Sequence, residues 1–323
     1  MNLRTKLLAH LEMMRPYTMF HAGMLGFASA LFLSGGEASW WRVALCFIVP
    51  TLGWIAGLYA GDYYDRDLDA IAKPHRPVPS GRVSPREAFS FMVFYILLGY
   101  ALALVLSPVS FAIAVVTTVS GIAYSKTFKK MAILGNFDRG LLAALTVLFS
   151  GAAVGALSGT GWGVAALLGL FFFHDSSSNL VGAIRDLEGD RRAGYRTVPV
   201  VYGVAGSVWI SAALALVWLV IALLLFSYYH HSSVALGLFA VSFCIACAVF
   251  VLLLLNRHRL TRPQALAAHK AMVIERVILS GAIAAVHGPA PVVIGVLVFV
   301  IAATELSQIA LRNRYEFGTT KGG

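Results

Sequence analysis

Charged residues are scarce in this chain. They make up 12% of its 323 residues, against roughly 25% in soluble globular domains. Hydrophobic residues account for 59%, and the mean hydropathy is +0.79. This composition excludes a soluble globular protein, and no stretch is polar enough to indicate a soluble domain or a long linker. We therefore predict a polytopic membrane protein that forms one unit over residues 1–323.

Cysteines are also few. Cys46, Cys244 and Cys247 all lie within apolar segments. The last two form a Cys-x-x-Cys pattern, but a redox or zinc site inside a lipid-embedded helix would need further partners nearby. We interpret the three cysteines as packing residues.

Ten apolar runs are long enough to cross a bilayer, which takes roughly 17 to 25 residues. The ninth run is interrupted by Glu275 and Arg276, so we predict nine to ten transmembrane helices in an all-α bundle. The runs lie near residues 17–34, 43–61, 87–106, 108–124, 137–157, 160–180, 205–227, 234–255, 267–286 and 290–311.

Basic residues favour one orientation of this bundle. If the N-terminus is cytoplasmic, 24 of the 25 lysine and arginine residues fall on the cytoplasmic side, and only Arg42 lies outside. This is the asymmetry that the positive-inside rule describes. We therefore expect the active site near the cytoplasmic face. Topology and an anionic substrate also explain the net charge of +10, so no nucleic-acid partner is expected.

Two acidic stretches follow apolar runs on this predicted cytoplasmic side, and they hold seven of the fifteen acidic residues. Asp65 and Asp69 are four residues apart, so on a helix they share one face. Asp186 and Asp190 have the same spacing. Like charges at this separation repel, and two facing pairs would need cations. Because Mg²⁺ binds one or two carboxylates and completes its shell with water and phosphate oxygens, the pattern predicts a magnesium-bridged diphosphate site.

Basic side chains lie close to both acidic stretches in the sequence. Arg76 and Arg82 follow the first stretch, and Arg196 follows the second. Lys129 follows the fourth apolar run. Guanidinium and ammonium groups donate charge-assisted hydrogen bonds to phosphate oxygens, so these residues are candidates to bind the diphosphate.

These residues resemble the motifs of the UbiA superfamily of intramembrane prenyltransferases. That family carries Asn-x-x-x-Asp-x-x-x-Asp after its second helix and Asp-x-x-x-Asp after its sixth. Asp65 and Asp69 match the first motif, and Asp186 with Asp190 matches the second. Three further segments are similar to family elements: Arg76-Pro77-Val78-Pro79-Ser80-Gly81-Arg82, Tyr124-Ser125-Lys126-Thr127-Phe128-Lys129 and Gly194-Tyr195-Arg196-Thr197-Val198-Pro199. The resemblance extends from Arg15 to about Gly203.

The resemblance implies a helical bundle around a central cavity, capped by the two cytoplasmic motif loops and open laterally to a lipid-like substrate. It implies two Mg²⁺ ions that ionise a polyprenyl diphosphate, whose tail lies among membrane lipids. The implied metal ligands are Asp65, Asp69, Asp186 and Asp190. These four aspartates, together with Lys129 and Tyr124, are the implied catalytic residues.

Gly61 departs from the family pattern, because it occupies the position of the usual asparagine. Its neighbour Asp62 is a candidate to compensate. Asn179 lies two helical turns before Asp186 on the same face, and Asp175 is an ionisable residue within a predicted membrane helix, where such residues are costly and mark function. The expected substrate-binding residues are therefore Arg76, Arg82, Asn179, Arg196, Asp62 and Asp175. Candidate aromatic walls for a carbocation are Tyr63, Tyr64 and Phe171 to Phe173.

Three functions remain open on these residues. The first is transfer of a prenyl group to a lipophilic acceptor, either an aromatic compound or a glycerol-phosphate-type lipid hydroxyl. The alternative is a terpene cyclase, which ionises the same diphosphate without an acceptor. A non-catalytic scaffold is disfavoured because all four motif aspartates are present.

Overall fold

Helices make up almost the whole of the described structure, because backbone polar groups in lipid must find partners within the chain. The computed structural model describes residues 3–158, 161–229, 232–312 and 314–315. The helices are α1 Leu3–Met14, α2 Pro16–Leu33, α3 Trp40–Tyr64, α4 Arg66–Ala72, α5 Pro85–Leu106, α6 Pro108–Lys126, α7 Ala132–Ala153, α8 Gly161–Arg192, α9 Val198–Tyr228, α10 Ser233–Asn256, α11 Arg262–His287 and α12 Ala290–Ser307. A 3₁₀ helix at Phe128–Lys130 and a π-helical turn at Gln308–Arg312 complete them.

Each of the ten predicted apolar runs lies in a helix, namely α2, α3 and α5 to α12. Within the described ranges, eight helices are long and apolar enough to cross a membrane. The other two, α2 and α11, are enclosed by their neighbours. In α2, 13 of 18 residues are buried, and α11 is buried continuously from Val277 to Val286. The predicted all-α membrane bundle is confirmed, and α2 and α11 lie inside it.

Local sequence signals begin several of these helices. Ser84 caps α5 and forms a capping box with Glu87, and Pro85 occupies the first helical position, where its missing N–H costs nothing. Thr261 and Gln264 form the same box at the start of α11. Ser107 both ends α5 and caps α6. The hairpin between α5 and α6 therefore needs a single residue as its connection.

Glycines allow the inner helices to approach closely, as small residues commonly do in membranes. A Cβ atom at Gly26 of α2 would overlap the carbonyl oxygen of Cys46 in α3. A Cβ atom at Gly140 of α7 would overlap the carbonyl oxygen of Phe172 in α8. These two contacts fix the spacing of helix pairs that carry the site described below.

The two acidic stretches differ in local structure, although the resemblance implied a loop for both. The first crosses a helix boundary, because α3 ends at Tyr64, Asp65 caps it and Asp69 lies in the short helix α4. The second is wholly helical, because α8 continues past Asp190 to Arg192. The last two turns of α8 thus carry the second aspartate pair on a rigid element.

Candidate active site

One large cavity of about 660 Å³ collects most of the predicted site residues. Its walls come from α2 to α8 and α11. All four motif aspartates line it, together with Lys129, Arg76, Tyr124, Asn179, Asp62 and Asp175. Residues separated by more than a hundred positions in the sequence therefore face one space.

The first aspartate pair is bound by basic residues from two different loops. Lys129, in the 3₁₀ helix, forms an ion pair with Asp65. The Tyr195 hydroxyl donates a 3.3 Å hydrogen bond to the same carboxylate. Arg76 lies 2.7 Å from Asp69 through Nη1 and Oδ2. Both carboxylates are thus held by cationic groups at the mouth of the cavity.

The second pair has partners from its own neighbourhood. Arg185 donates two hydrogen bonds to Asp186, 3.1 Å from Nε to Oδ1 and 2.6 Å from Nη2 to Oδ2. Asp190 accepts a 3.0 Å hydrogen bond from the Thr197 hydroxyl. Thr197 immediately precedes α9, so this bond also fixes the segment that carries Tyr195.

The two pairs face each other across the mouth. Tyr195 interacts electrostatically with Asp65, Asp69 and Asp190. Lys73, at the end of α4, interacts with both Asp186 and Asp190. Burial raises the pKa of the Tyr195 phenol, and the negative charge of Asp65 raises it further. The hydroxyl therefore stays protonated and can donate its hydrogen bond at neutral pH.

A short backbone link positions both Lys129 and Tyr195. The Arg196 amide donates to the Lys130 carbonyl at 3.1 Å, and the Ala132 amide donates to the Arg196 carbonyl at 2.7 Å. Ala132 adopts a positive φ of 38°, a conformation that costs a residue with a Cβ atom about 1 kcal/mol or more. The link holds two loops, which are distant in sequence, against the same end of the cavity.

The donor set fits magnesium, although no three histidine, cysteine, aspartate or glutamate side chains in the described ranges converge on one metal position. Mg²⁺ usually takes only one or two carboxylates from the protein and the rest of its shell from water and phosphate oxygens. Two aspartate pairs that line one cavity supply this kind of donor. Their present partners are cationic or hydroxyl groups, which are the groups that a divalent ion would displace.

A second ionic layer lies deeper in the cavity. Arg139 of α7 lies 3.0 Å from Asp175 of α8, and Arg276 of α11 pairs with the same carboxylate. The Arg139 guanidinium also stacks over Trp54 at 4.4 Å, and His21 packs against that indole at 4.0 Å between ring centroids. We call Asp175, Arg139 and Arg276 the inner ionic layer. Tyr124 and Asn179 lie within interaction distance of each other and also line this cavity.

Asp62 is engaged with the structural framework, although it lines the cavity. It pairs with Arg15 and accepts a 2.5 Å hydrogen bond from the hydroxyl of Tyr315. Its other oxygen, Oδ2, is buried without a hydrogen-bond partner. Asp62 is therefore bound away from the position of the missing asparagine, and Gly61 leaves open space there.

Arg82 and Arg196 are not brought to the cavity, whose lining among the described residues includes neither of them. Arg82 lies 2.8 Å from Glu12 of α1 and donates a 2.7 Å hydrogen bond to the His75 carbonyl. The Arg196 side chain is exposed, and its backbone forms the link described above. Both arginines brace loops around the site. Glu12 lies seventy residues before its partner, so sequence spacing could not have indicated the pair.

Several lining residues were missed from the sequence. Arg185 and Lys73 adjoin the acidic stretches, and their positions directly beside Asp186 and shortly after Asp69 were a usable signal. Trp54 carried no signal, because it meets its partners only through tertiary packing. Arg276 carried the signal of an ionisable residue within a predicted membrane helix. Of the five aromatic residues expected as walls, Phe171 lines the cavity, and the other aromatic lining residues are Trp54, Tyr17, Tyr95, Tyr100, Tyr124, Phe149 and Tyr195.

Known proteins resemble this chain in sequence and in fold. A sequence profile of the UbiA prenyltransferase family matches residues 22–274. The digeranylgeranylglyceryl phosphate synthase of Natronomonas pharaonis is 36% identical over 206 residues, which is 64% of this chain and 73% of that protein.

Solved structures agree. A digeranylgeranylglyceryl phosphate synthase superimposes with a TM-score of 0.67 at 26% identity, covering 87% of this chain and 98% of the other. A UbiA homologue from Archaeoglobus fulgidus, bound to GPP and Mg²⁺, has the same fold with a TM-score of 0.65 at 18% identity, covering 85% and 99%. This chain is a multi-pass membrane enzyme that belongs to the UbiA prenyltransferase family.

Proposed function

We propose that this enzyme transfers a polyprenyl group from an allylic diphosphate to the hydroxyl of a glycerol-phosphate-type lipid and releases diphosphate. One observation carries the proposal: two aspartate pairs line the same cavity, and Lys129 and Arg76 form ion pairs with the first of them. The relatives named digeranylgeranylglyceryl phosphate synthase support the choice of acceptor. We also propose that residues 1–323 form a single transmembrane domain.

The chain's own groups would bind the diphosphate at the mouth. Asp65, Asp69, Asp186 and Asp190 would hold two Mg²⁺ ions, one for each pair, which neutralise the leaving group's charge when bound. Lys129 and Arg76 would then exchange their carboxylate partners for diphosphate oxygens. The Tyr195 hydroxyl and Lys73 lie at the same mouth and would add donors.

The polyprenyl tail would follow the apolar part of the cavity towards lipid. Gly99 of α5 and Gly121 of α6 line this part, where the absence of side chains leaves room. The outer faces of α5 and α6 are largely exposed, so the path leads into the membrane. A hydrocarbon chain gains free energy there while its diphosphate stays at the mouth.

The acceptor would lie between the mouth and the inner ionic layer. Within the described ranges nine lysine and arginine residues and seven aspartate and glutamate residues line the cavity. This excess of positive charge suits a second anionic substrate besides the diphosphate. We propose that Tyr124 and Asn179 contact the reacting ends of both substrates and that Asp175 keeps Arg139 and Arg276 in place.

The acceptor oxygen bonds to the allylic carbon, the bond from that carbon to the diphosphate breaks, and the hydroxyl proton leaves to water.

The function can be tested with purified protein in nanodiscs, Mg²⁺, geranylgeranyl diphosphate and geranylgeranylglyceryl phosphate. We expect one ether-linked product and one released diphosphate per turnover. Asp65→Ala and Asp190→Ala should each reduce the rate by about a hundredfold or more, because metal-derived charge stabilisation is worth several kcal/mol. Asp67→Ala is the matched control, since this side chain lies in the same stretch but is 87% exposed.

Three outcomes would contradict the proposal. A cyclic hydrocarbon or terpene alcohol formed without acceptor would indicate a cyclase. Preferred prenylation of 4-hydroxybenzoate would indicate an aromatic acceptor. Diphosphate release that is undiminished in both aspartate variants would refute the assigned metal ligands.

A further inference from the structure

Tyr315 lies far from the active site in sequence but against it in space. It follows α12 and the π-helical turn, and it lies beyond residue 274, where the match to the UbiA family profile ends. Its side chain is almost completely buried, at 1% exposure. A buried tyrosine usually has specific hydrogen-bond partners for its hydroxyl.

The Tyr315 hydroxyl joins two residues at the end of α3 and the start of α2. It accepts a hydrogen bond from Arg15 and donates a 2.5 Å hydrogen bond to Asp62. Asp62 is one helical turn before the metal-site residue Asp65. Burial raises the pKa of the phenol, so the hydroxyl remains protonated and able to donate.

The Tyr315 ring lies against two guanidinium groups. Arg15 lies 4.2 Å and Arg76 4.3 Å from the ring centroid, both within the range of a cation–π contact. Arg76 is the partner of Asp69 in the first motif. The main chain adds a further tie, because His75 donates a 3.0 Å hydrogen bond from Nε2 to the Tyr315 carbonyl.

The preceding residue anchors the same segment elsewhere. Arg314 lies 3.2 Å from the buried carboxylate of Glu12, which also pairs with Arg82. Arg314 therefore holds the segment to α1, whereas Tyr315 reaches residues that line the cavity. Arg314 thus anchors the segment, and Tyr315 contacts the site.

We propose that Tyr315 is a positioning residue for the prenyl-diphosphate site. Its ring holds the Arg76 guanidinium at the mouth, both when Arg76 is paired with Asp69 and when it turns to the diphosphate. Its hydroxyl holds the Arg15–Asp62 pair against the end of α3 and so steadies Asp65. The inference rests on the proposed function, because it needs Arg76 to bind the diphosphate.

The test compares Tyr315→Leu with Tyr315→Phe in the full chain. Phenylalanine keeps the ring against both guanidinium groups, whereas leucine fills the site without a ring. We expect Tyr315→Leu to raise KM for geranylgeranyl diphosphate about tenfold, the value of a desolvated cation–π contact of roughly 1.4 kcal/mol. Tyr315→Phe should raise it less than about threefold, and kcat should change little in either variant. Arg314→Ala is the control for the loss of a segment anchor alone, and it should raise KM less than Tyr315→Leu does.

Two results would overturn the inference: KM unchanged in Tyr315→Leu, or equal increases in the leucine and phenylalanine variants. A double-mutant cycle with Arg76→Ala separates the inference from the function on which it rests, because residues that act through one another are not additive. If Arg76→Ala leaves KM unchanged, the proposed diphosphate site itself fails. If Arg76→Ala raises KM and Tyr315→Leu adds its full effect to it, only the role of Tyr315 fails.

Discussion

Gly61 is the residue at which this enzyme differs most clearly from the first UbiA motif. It lines the cavity, and no atom lies within 4 Å of the position that a Cβ would take. Asp62 does not fill this space, since Arg15 and Tyr315 hold it. The first pair therefore offers two aspartates without an amide oxygen beside them. A weaker hold on Mg²⁺ at this pair is the expected consequence.

Gly61→Asn should strengthen this hold. Asparagine adds one oxygen ligand that faces the cavity, and it fits a helix at least as well as glycine does. We expect the Mg²⁺ concentration for half-maximal activity to fall severalfold, with little change in kcat, in a magnesium titration.

Gly57→Asn is the matched control for this change. Gly57 lies one turn earlier on the same face, also lines the cavity and also has open space at its Cβ position. An unaltered or weaker magnesium response in Gly61→Asn would contradict the assignment of Gly61 to the metal site. An equal gain from Gly57→Asn would contradict it as well.

At the scale of the helices, the site depends on close packing between α7 and α8. Arg139 of α7 and Asp175 of α8 form part of the inner ionic layer. A Cβ atom at Gly140, next to Arg139, would overlap the Ser176 hydroxyl and the Phe172 carbonyl oxygen of α8. Because interiors are tightly packed, a single added methyl group forces such a pair apart. A displacement of α8 would also move the second aspartate pair relative to the first, since α8 carries that pair at its end.

Gly140→Ala should therefore destabilise the protein by about 1–3 kcal/mol. Gly295→Ala in α12 is the control, because its Cβ would meet no atom within 4 Å and loss of glycine there should be neutral or slightly stabilising. Thermal unfolding in detergent measures both. Equal unfolding temperatures for the two variants would show that α7 and α8 can move apart at Gly140 without loss of stability.

At the scale of the whole molecule, the distribution of basic residues predicts the orientation of the bundle in the membrane. One end of the bundle carries the whole mouth of the cavity. It brings together the motif residues, the 73–84 loop, the 3₁₀ helix and the Tyr315 segment. The basic residues of the sequence are concentrated in the connections at that end. The positive-inside rule places such an end in the cytoplasm, and we propose the same side for the mouth of the cavity.

The orientation can be measured by cysteine labelling in a variant that lacks Cys46, Cys244 and Cys247. Ser80→Cys lies in the exposed loop at the motif end, and Ser39→Cys lies at the opposite end of α3. A membrane-impermeant maleimide should modify the Ser80→Cys variant only in inside-out vesicles and the Ser39→Cys variant only in right-side-out vesicles. The reverse pattern would place the active site on the outer face.

Part of the site could be predicted because its signal is local. Spacing of four residues was enough to pair Asp65 with Asp69 and Asp186 with Asp190, and charge was enough to nominate Lys129 and Arg76. The structure brings all six to one cavity. Arg82 and Arg196 had the same local signal but lie outside that cavity, because their partners, Glu12 and the backbone around Ala132, are distant in sequence.

The sequence by itself determined the membrane bundle, the ten long helices and the two aspartate pairs, because hydropathy and helical periodicity act over neighbouring residues. Only the tertiary structure decided which charges meet. The inner ionic layer joins α7, α8 and α11, and Tyr315, which follows α12, contacts Asp62 beside the first motif. Ion pairs and cation–π contacts depend on distance in space, and that distance is fixed by packing of the whole chain.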